Sequence, residues 1–338
     1  MPLEVWIAGL PSERNGAATE LDNLIDLFRD YDVAVNLVPL KHPVDPAALD
    51  ALAARRCRVH LLRPDLFRDK ILLSFAQQPF LERLPEIAAT GRPARVIWFN
   101  CGVRASDAEL AAHAAGLIDL HGFVSAYQRR LLEPALATRR PVESFDYRPY
   151  LNLARIDCRY REWDGTYVLG RISRDDPTKY PRDTWRLFDR VHVPPGMSKQ
   201  VNFLGFGRRA RARIGPPPPH LVGRMWRPYE IEAASFYRTI DTLLYKVGAP
   251  ESYGRVIVEA CAHGAVPVAQ DDFAFPELIV PGVTGFLGGS TEEMAEQAGY
   301  LAHHPERHRT MARRARAHVE ALVDPARCWA GWAKVLAG

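Results

Sequence analysis

Two glutamates stand eight positions apart in ESYGRVIVEACAHGAVPVAQ, residues 251–270, around the triplet Tyr253-Gly254-Arg255. The glycine lets the backbone come close to a ligand just before a helix expected over 255–263. At that helix start the N–H groups of Gly254, Arg255 and Val256 would point outward at the positive end of the helix dipole, a natural place for phosphate oxygens. Glu259 follows about one turn later, roughly 5 Å along the axis, and helical side chains lean back toward the N-terminus. A carboxylate there can accept both hydrogens of a vicinal diol such as the 2′ and 3′ hydroxyls of a ribose. Glu251, in the loop at the C-terminal edge of the preceding strand, would lie on the far side of the phosphate, where it could meet hydroxyls at the distal end of the same ligand. Phosphate in the middle, ribose on one side and polyol on the other describe a nucleotide sugar. Each residue taken singly also has an ordinary reading: Glu251 as a solvated loop carboxylate, Glu259 as a helix surface residue, Tyr253 as packing.

These groups need a strand, a tight loop and a helix to hold them, and the chain repeats that unit. Short apolar runs at 3–10, 33–40, 57–62, 71–76, 94–100 and 121–126 are bounded by polar or turn residues, as strands buried on both faces of a parallel sheet are. Helical stretches such as 17–30 and 127–138 alternate with them, which is the rhythm of a doubly wound α/β domain. The rhythm breaks over 140–165, rich in Pro, Arg and Tyr, and resumes with 166–170, 201–206, 241–247 and 264–269. The prolines of GPPPPHL (215–221) impose an extended loop. Residues 291–337 read as helices alone, with Pro305 and Asp324-Pro325 as starts and Trp329 and Trp332 as core anchors.

The stretch ESYGRVIVEACAHGAVPV resembles the E-x7-E signature of retaining glycosyltransferases with the GT-B fold, in particular the GT4 family, also called glycosyl transferases group 1. The resemblance runs on through PELIVPGVTGFL (276–287), where Glu277 and Gly285 match that family's loop. VLGRISRDDPTKYP (168–181) is similar to the family segment in which an Arg and a following Lys hold the donor diphosphate, which implies those roles for Arg171 and Lys179. Two cations there suit a leaving group whose negative charge grows as the sugar departs. PSERNGAATELDN (11–23) falls where the family carries a glycine-rich loop near the donor phosphates; Gly16 remains and Ala17 replaces the second glycine. Where many relatives place a His after a central strand, this chain has Asn100, followed by Cys101 and Gly102.

The resemblance implies two Rossmann-like doubly wound α/β domains facing a central cleft: an acceptor domain over 1–155, a donor domain over 156–316, and a final helix, 317–338, crossing back to the first domain. It implies a hexosyltransferase that takes a UDP- or GDP-linked sugar as co-substrate and needs no cofactor or metal. Transfer is expected on the front face, with retention. Glu251, Arg171 and Lys179 are the expected catalytic residues. Gly16, Ser252, Tyr253, Gly254, Arg255, Val256 and Glu259 join them in holding the donor. Asn100 and Ser125 are the acceptor-side candidates, although a Ser ahead of a helix, as Ser125 is, is more often its N-cap than a substrate contact. The acceptor class spans sugars, lipid-linked sugars and natural products. Other readings on the same fold are an epimerase, a phosphorylase-like enzyme and a non-catalytic sugar-nucleotide or glycan-binding relative.

Composition narrows the field further. Of 338 residues, 47% are apolar and 25% charged, enough for two cores. The 44 basic residues are nearly balanced by 40 acidic ones, so no nucleic-acid partner is expected. The run Arg208-Arg209-Ala210-Arg211-Ala212-Arg213 reads as a solvated face that also suits an anionic membrane surface. Five scattered cysteines without a C-x-x-C pair argue against zinc or a disulfide framework. With no signal-like start and no apolar span, the expected location is the cytoplasm. The pairs Asp175-Asp176 and Asp271-Asp272 invite a Mg²⁺ reading that the cations and helix start make unnecessary. Gly205 and Gly207 lack the third glycine of a dinucleotide fingerprint, which argues against a nicotinamide-dependent dehydrogenase, a minor alternative.

Overall fold

Apolar runs become parallel strands in both halves of the chain. The structure, a computed structural model, describes residues 3–11, 16–40, 43–221 and 223–337. It divides into one unit of Met1–Asn152 with Val323–Gly338 and a second of Leu153–Leu322.

The first unit runs β1 (Glu4–Ala8), α1 (Gly16–Asp30), β2 (Ala34–Val38), α2 (Pro46–Ala54), β3 (Arg58–Val59), β4 (Ile71–Phe75), α3 (Gln78–Glu86), β5 (Arg95–Phe99), α4 (Asp107–Ala114), β6 (Leu120–Phe123), α5 (Ala126–Ala137) and β7 (Ser144–Asp146). Its seven strands are parallel in the order β3-β2-β1-β4-β5-β6-β7. Alternation along β1 feeds two cores: Val5 and Ile7 join Phe28 and Trp332 on one face, while Trp6 and Ala8 join Phe80 and Leu84 on the other.

The second unit runs β8 (Thr166–Ile172), α6 (Thr184–Asp189), β9 (Ser198–Leu204), α7 (Arg208–Ile214), β10 (Met225–Trp226), α8 (Ala233–Tyr237), β11 (Thr242–Tyr245), α9 (Arg255–Ala262), β12 (Val266–Gln270), β13 (Phe286–Gly288), α10 (Thr291–His303) and α11 (Pro305–Leu322). The order β10-β9-β8-β11-β12-β13 is again doubly wound. It reverses between β8 and β11, and a crevice opens at the C-terminal ends of strands at such a switch point. Tyr167, Leu169, Val201, Phe203 and Leu244 face α6 and α10 in this core.

The last helix, α12 (Pro325–Leu336), belongs to the first unit. Asp324 caps it, accepting from Arg327 N at 2.9 Å, and Trp332 meets Phe28 edge-on at 5.0 Å. The boundaries at 152/153 and 322/323 replace those expected at 155/156 and 316/317. Asn152 is tied to α1, its N–H donating to Asn23 Oδ1 and its amide to Asp26 Oδ2, and α11 runs unbroken until the Asp324-Pro325 stop. Strands β7, β10 and β13, two or three residues each at sheet edges, carry no apolar run long enough to announce them. Among the described residues no helix is long and apolar enough to cross a membrane.

Candidate active site

The loop between β11 and α9 builds the site from its backbone. Gly254 caps α9 with φ of 99°, a left-handed conformation that disfavours side chains, and a Cβ there would lie 2.9 Å from the Phe275 ring. As a glycine, Gly254 offers α9 no side-chain cap of its own. Glu259 is on its second turn and half-buried. Its Oε2 accepts from the Tyr237 hydroxyl at 3.0 Å, and its Oε1 lies 3.3 Å from Arg255 Nε. Burial, and then the neighbouring Glu259 charge, push the Tyr237 phenol well above its usual range, so it remains a donor. His263 stacks on the same tyrosine, with ring centroids 5.1 Å apart.

On the other side of the loop, Lys179 Nζ lies 2.5 Å from Glu251 Oε1, and the Tyr245 hydroxyl donates to that same oxygen at 3.0 Å. Among the described residues, Oε2 of Glu251 has no partner and so can accept from a ligand hydroxyl. Lys179 follows β8 and Glu251 follows β11, so the two meet over the switch point. The Tyr245 phenol is also raised well above its usual range, by burial first and the Glu251 charge second. Ser252, Tyr253, Arg255 and Val256 are all half-buried along the loop and first turn.

Arg171 lies deeper than Lys179. It is completely buried, and its guanidinium donates to Lys246 O at 2.7 Å and to Lys179 O, between the rings of Tyr180 and Tyr245. Burial lowers its pKa. Both terminal nitrogens bind backbone carbonyls, so Arg171 ties the Lys179 loop to the end of β11.

The two acceptor-side candidates are also engaged by neighbouring groups. The Asn100 amide donates to Arg104 O at 3.0 Å and to Glu109 Oε2, while its Oδ1 accepts from Gly102 N at 2.8 Å. Ser125 caps α5, accepting from Gln128 N at 2.9 Å. Both side chains organise loops at strand ends. Gly16 opens α1, and the loop residues 12–15 before it lie outside the described residues.

The acidic pair after β8 consists of caps. Asp175 accepts from Arg209 N and Ala210 N at the start of α7, and Asp176 from Thr178 N at 3.0 Å. No group of three or more metal-binding side chains occurs among the described residues. Sequence reasoning missed Tyr237 and Tyr245. Tyr245, at the last position of a strand six residues before Glu251, carried the better signal.

Residues 225–318 match the family model described as Glycosyl transferases group 1. No curated protein matches the chain. Among solved structures, Anabaena Alr3699/HepE in complex with UDP and glucose superposes with a TM-score of 0.71 at 18% identity, covering 99% of each chain. TarM, seen elsewhere as the S. aureus protein, gives 0.77 at 10% identity over 99% of each chain. Sucrose-phosphate synthase from Thermosynechococcus elongatus gives 0.71 at 14% over 98% of each. The fold is GT-B. In this GT-B chain the matched segment contains Glu251, Gly254 and Glu259 but not Lys179, which the tertiary structure adds.

Proposed function

We propose that the protein transfers a sugar from a nucleoside-diphosphate sugar to an acceptor hydroxyl with retention at the anomeric carbon. The observation that carries this reading is the arrangement around α9: a helix start at a left-handed glycine, with one carboxylate on each side and Lys179 on the Glu251 side. The diphosphate would take the N–H groups of residues 254–256, and Lys179 would neutralise its growing charge. Glu259, oriented by Tyr237, would hold the ribose. Glu251 would orient the donor sugar through Oε2 while Tyr245 and Lys179 keep Oε1.

In the reaction the bond from the anomeric carbon to the diphosphate oxygen breaks and the bond to the acceptor oxygen forms on the same face. The acceptor proton passes to the departing diphosphate, so no protein base and no covalent enzyme intermediate is needed. Metal independence is part of the proposal, and the capping roles of Asp175 and Asp176 support it. UDP is the favoured base carrier, since HepE was solved with UDP and with UDP-glucose. The acceptor, a sugar, lipid-linked sugar or natural product, is assigned by resemblance to the first unit, and the location to the cytoplasm.

A thermal-shift screen of nucleoside diphosphates and nucleotide sugars tests donor binding, because a specific ligand raises melting by mass action. Incubation of the responding donor with pooled acceptors, followed by NMR of the product's anomeric coupling, tests the stereochemistry. Tight NADH binding with no response to UDP or GDP would sink the reading.

A further inference from the structure

A buried chain of polar groups crosses the first unit behind Asn100, and nothing in the donor chemistry uses it. Glu109, His113 and His121 are 1%, 2% and 2% exposed. His113 Nε2 is 3.1 Å from Arg140 O, His121 Nε2 is 3.1 Å from His113 Nδ1, and His121 Nδ1 is 3.9 Å from Glu109 Oε1. Glu109 Oε2 accepts from the Asn100 amide.

Proton positions along this chain follow from its two ends. Arg140 O can only accept, so His113 carries its proton on Nε2 and offers a lone pair at Nδ1. His121 must then donate from Nε2, which leaves a lone pair on its own Nδ1, facing Glu109. At the other end Arg104 O can only accept and Gly102 N can only donate, so the Asn100 amide has its nitrogen toward Glu109. The one gap in the chain thus sets Oε1 against Nδ1, acceptor against acceptor, in a buried site. Oε1 has no hydrogen bond there.

We propose that Glu109 is held as the neutral acid, its proton on Oε1 toward the lone pair of His121 Nδ1, and that Glu109 in that state is the positioning residue for the loop 100–104 at the C-terminal end of β5. Loss of the proton would leave a buried carboxylate facing a lone pair, beside an amide that also holds Arg104 O and Gly102 N. That loop lies where ligands of α/β sheets bind, and Cys101 within it has a left-handed φ of 42° that the surrounding bonds must sustain.

The electrostatics agree with the geometry. Burial raises the Glu109 carboxyl to about 7, against the Asn100, Trp98 and Ser106 groups that favour its ionised form, and burial lowers His121 to about 4 with His113 adding to the effect. The groups facing Glu109 are Asn100 and the Trp98 indole from β5, His121 from β6, and Ser106 and His113 from its own segment, none of them an ionised side chain. The Trp98 N–H completes no hydrogen bond.

The test uses the full chain and no activity, so its outcome is separate from that of the transferase reading. Glu109→Gln places an amide N–H toward His121 at every pH and keeps an oxygen for Asn100. Its melting temperature should match wild type near pH 4.5. It should then exceed wild type by a margin that widens to a few degrees by pH 7 and stays constant above. Over the same range the corrected hydrogen-exchange protection of the Gly102 amide should fall about tenfold or more in wild type and not in Glu109→Gln. Nitrogen-15 NMR of the wild-type imidazoles, which needs no variant to fold, should find His121 protonated on Nε2. A margin independent of pH, or a His121 protonated on Nδ1 alone, overturns the proposal.

Discussion

Lys179 and Glu251, 72 residues apart in the chain, share one oxygen contact at 2.5 Å over the point where the second sheet reverses direction. The contact joins the two groups that a donor would meet on either side of its sugar–phosphate bond. Tyr245 holds the same carboxylate oxygen, so Lys179 can turn toward a phosphate without releasing Glu251.

The two glutamates should separate in function. Glu259→Ala should weaken binding of the free nucleoside diphosphate by about 10- to 100-fold, the range for lost hydrogen bonds to a charged group. Glu251→Ala should leave that affinity within about threefold while lowering turnover by two orders of magnitude or so. Isothermal calorimetry and initial rates check both; equal affinity losses would contradict the division.

Lys179 and Arg171, both basic and both after or within β8, should differ in kind. Lys179→Met should cut turnover by about 10²–10³ with the melting temperature nearly unchanged. Arg171→Ala should destabilise the unit by about 2–5 kcal/mol, because it empties a core site and leaves Lys246 O and Lys179 O unpaired. Chemical denaturation distinguishes them.

Gly254→Ala should cost about 1–3 kcal/mol in backbone strain and abolish nucleotide binding, since its Cβ would press on Phe275. Gly196→Ala is the control: φ is 85° there, but no atom lies within 4 Å of the added carbon. It should show the strain and keep the binding, as read by melting temperature and calorimetry.

Asp183 should add a pH-dependent part to stability. Its Oδ2 accepts from Lys246 Nζ at 2.6 Å and from Thr291. Burial alone would raise its pKa, but those two bonds outweigh burial and hold it below the usual value. A depressed carboxyl stabilises the fold above its unfolded pKa and loses that contribution as pH falls through the folded value. Wild type should therefore lose more stability between about pH 4 and pH 2 than Asp183→Asn does, measured by urea unfolding at each pH.

Strand-length apolar runs made most of both sheets legible, because a strand buried on both faces must be apolar throughout. The α9 motif was legible for a related reason: glycine conformation, helix polarity and carboxylate spacing are local properties written within nine residues. The partners of Arg171 and Asn100 were not legible, because residue type shows what a side chain can bind but not which group reaches it first, whereas the cap by Ser125 was. Backbone carbonyls hold Arg171, and a carbonyl, a loop N–H and the Glu109 carboxyl group hold Asn100.

By itself the sequence determined two doubly wound α/β units and a glycine-led helix start flanked by Glu251 and Glu259. Only the tertiary structure decided that Lys179 and Tyr245 converge on Glu251, that Tyr237 orients Glu259, and that a buried Glu109 stands behind Asn100. The reason is distance along the chain: the first set of features is fixed by neighbours in sequence, the second by strands brought together through sheet order.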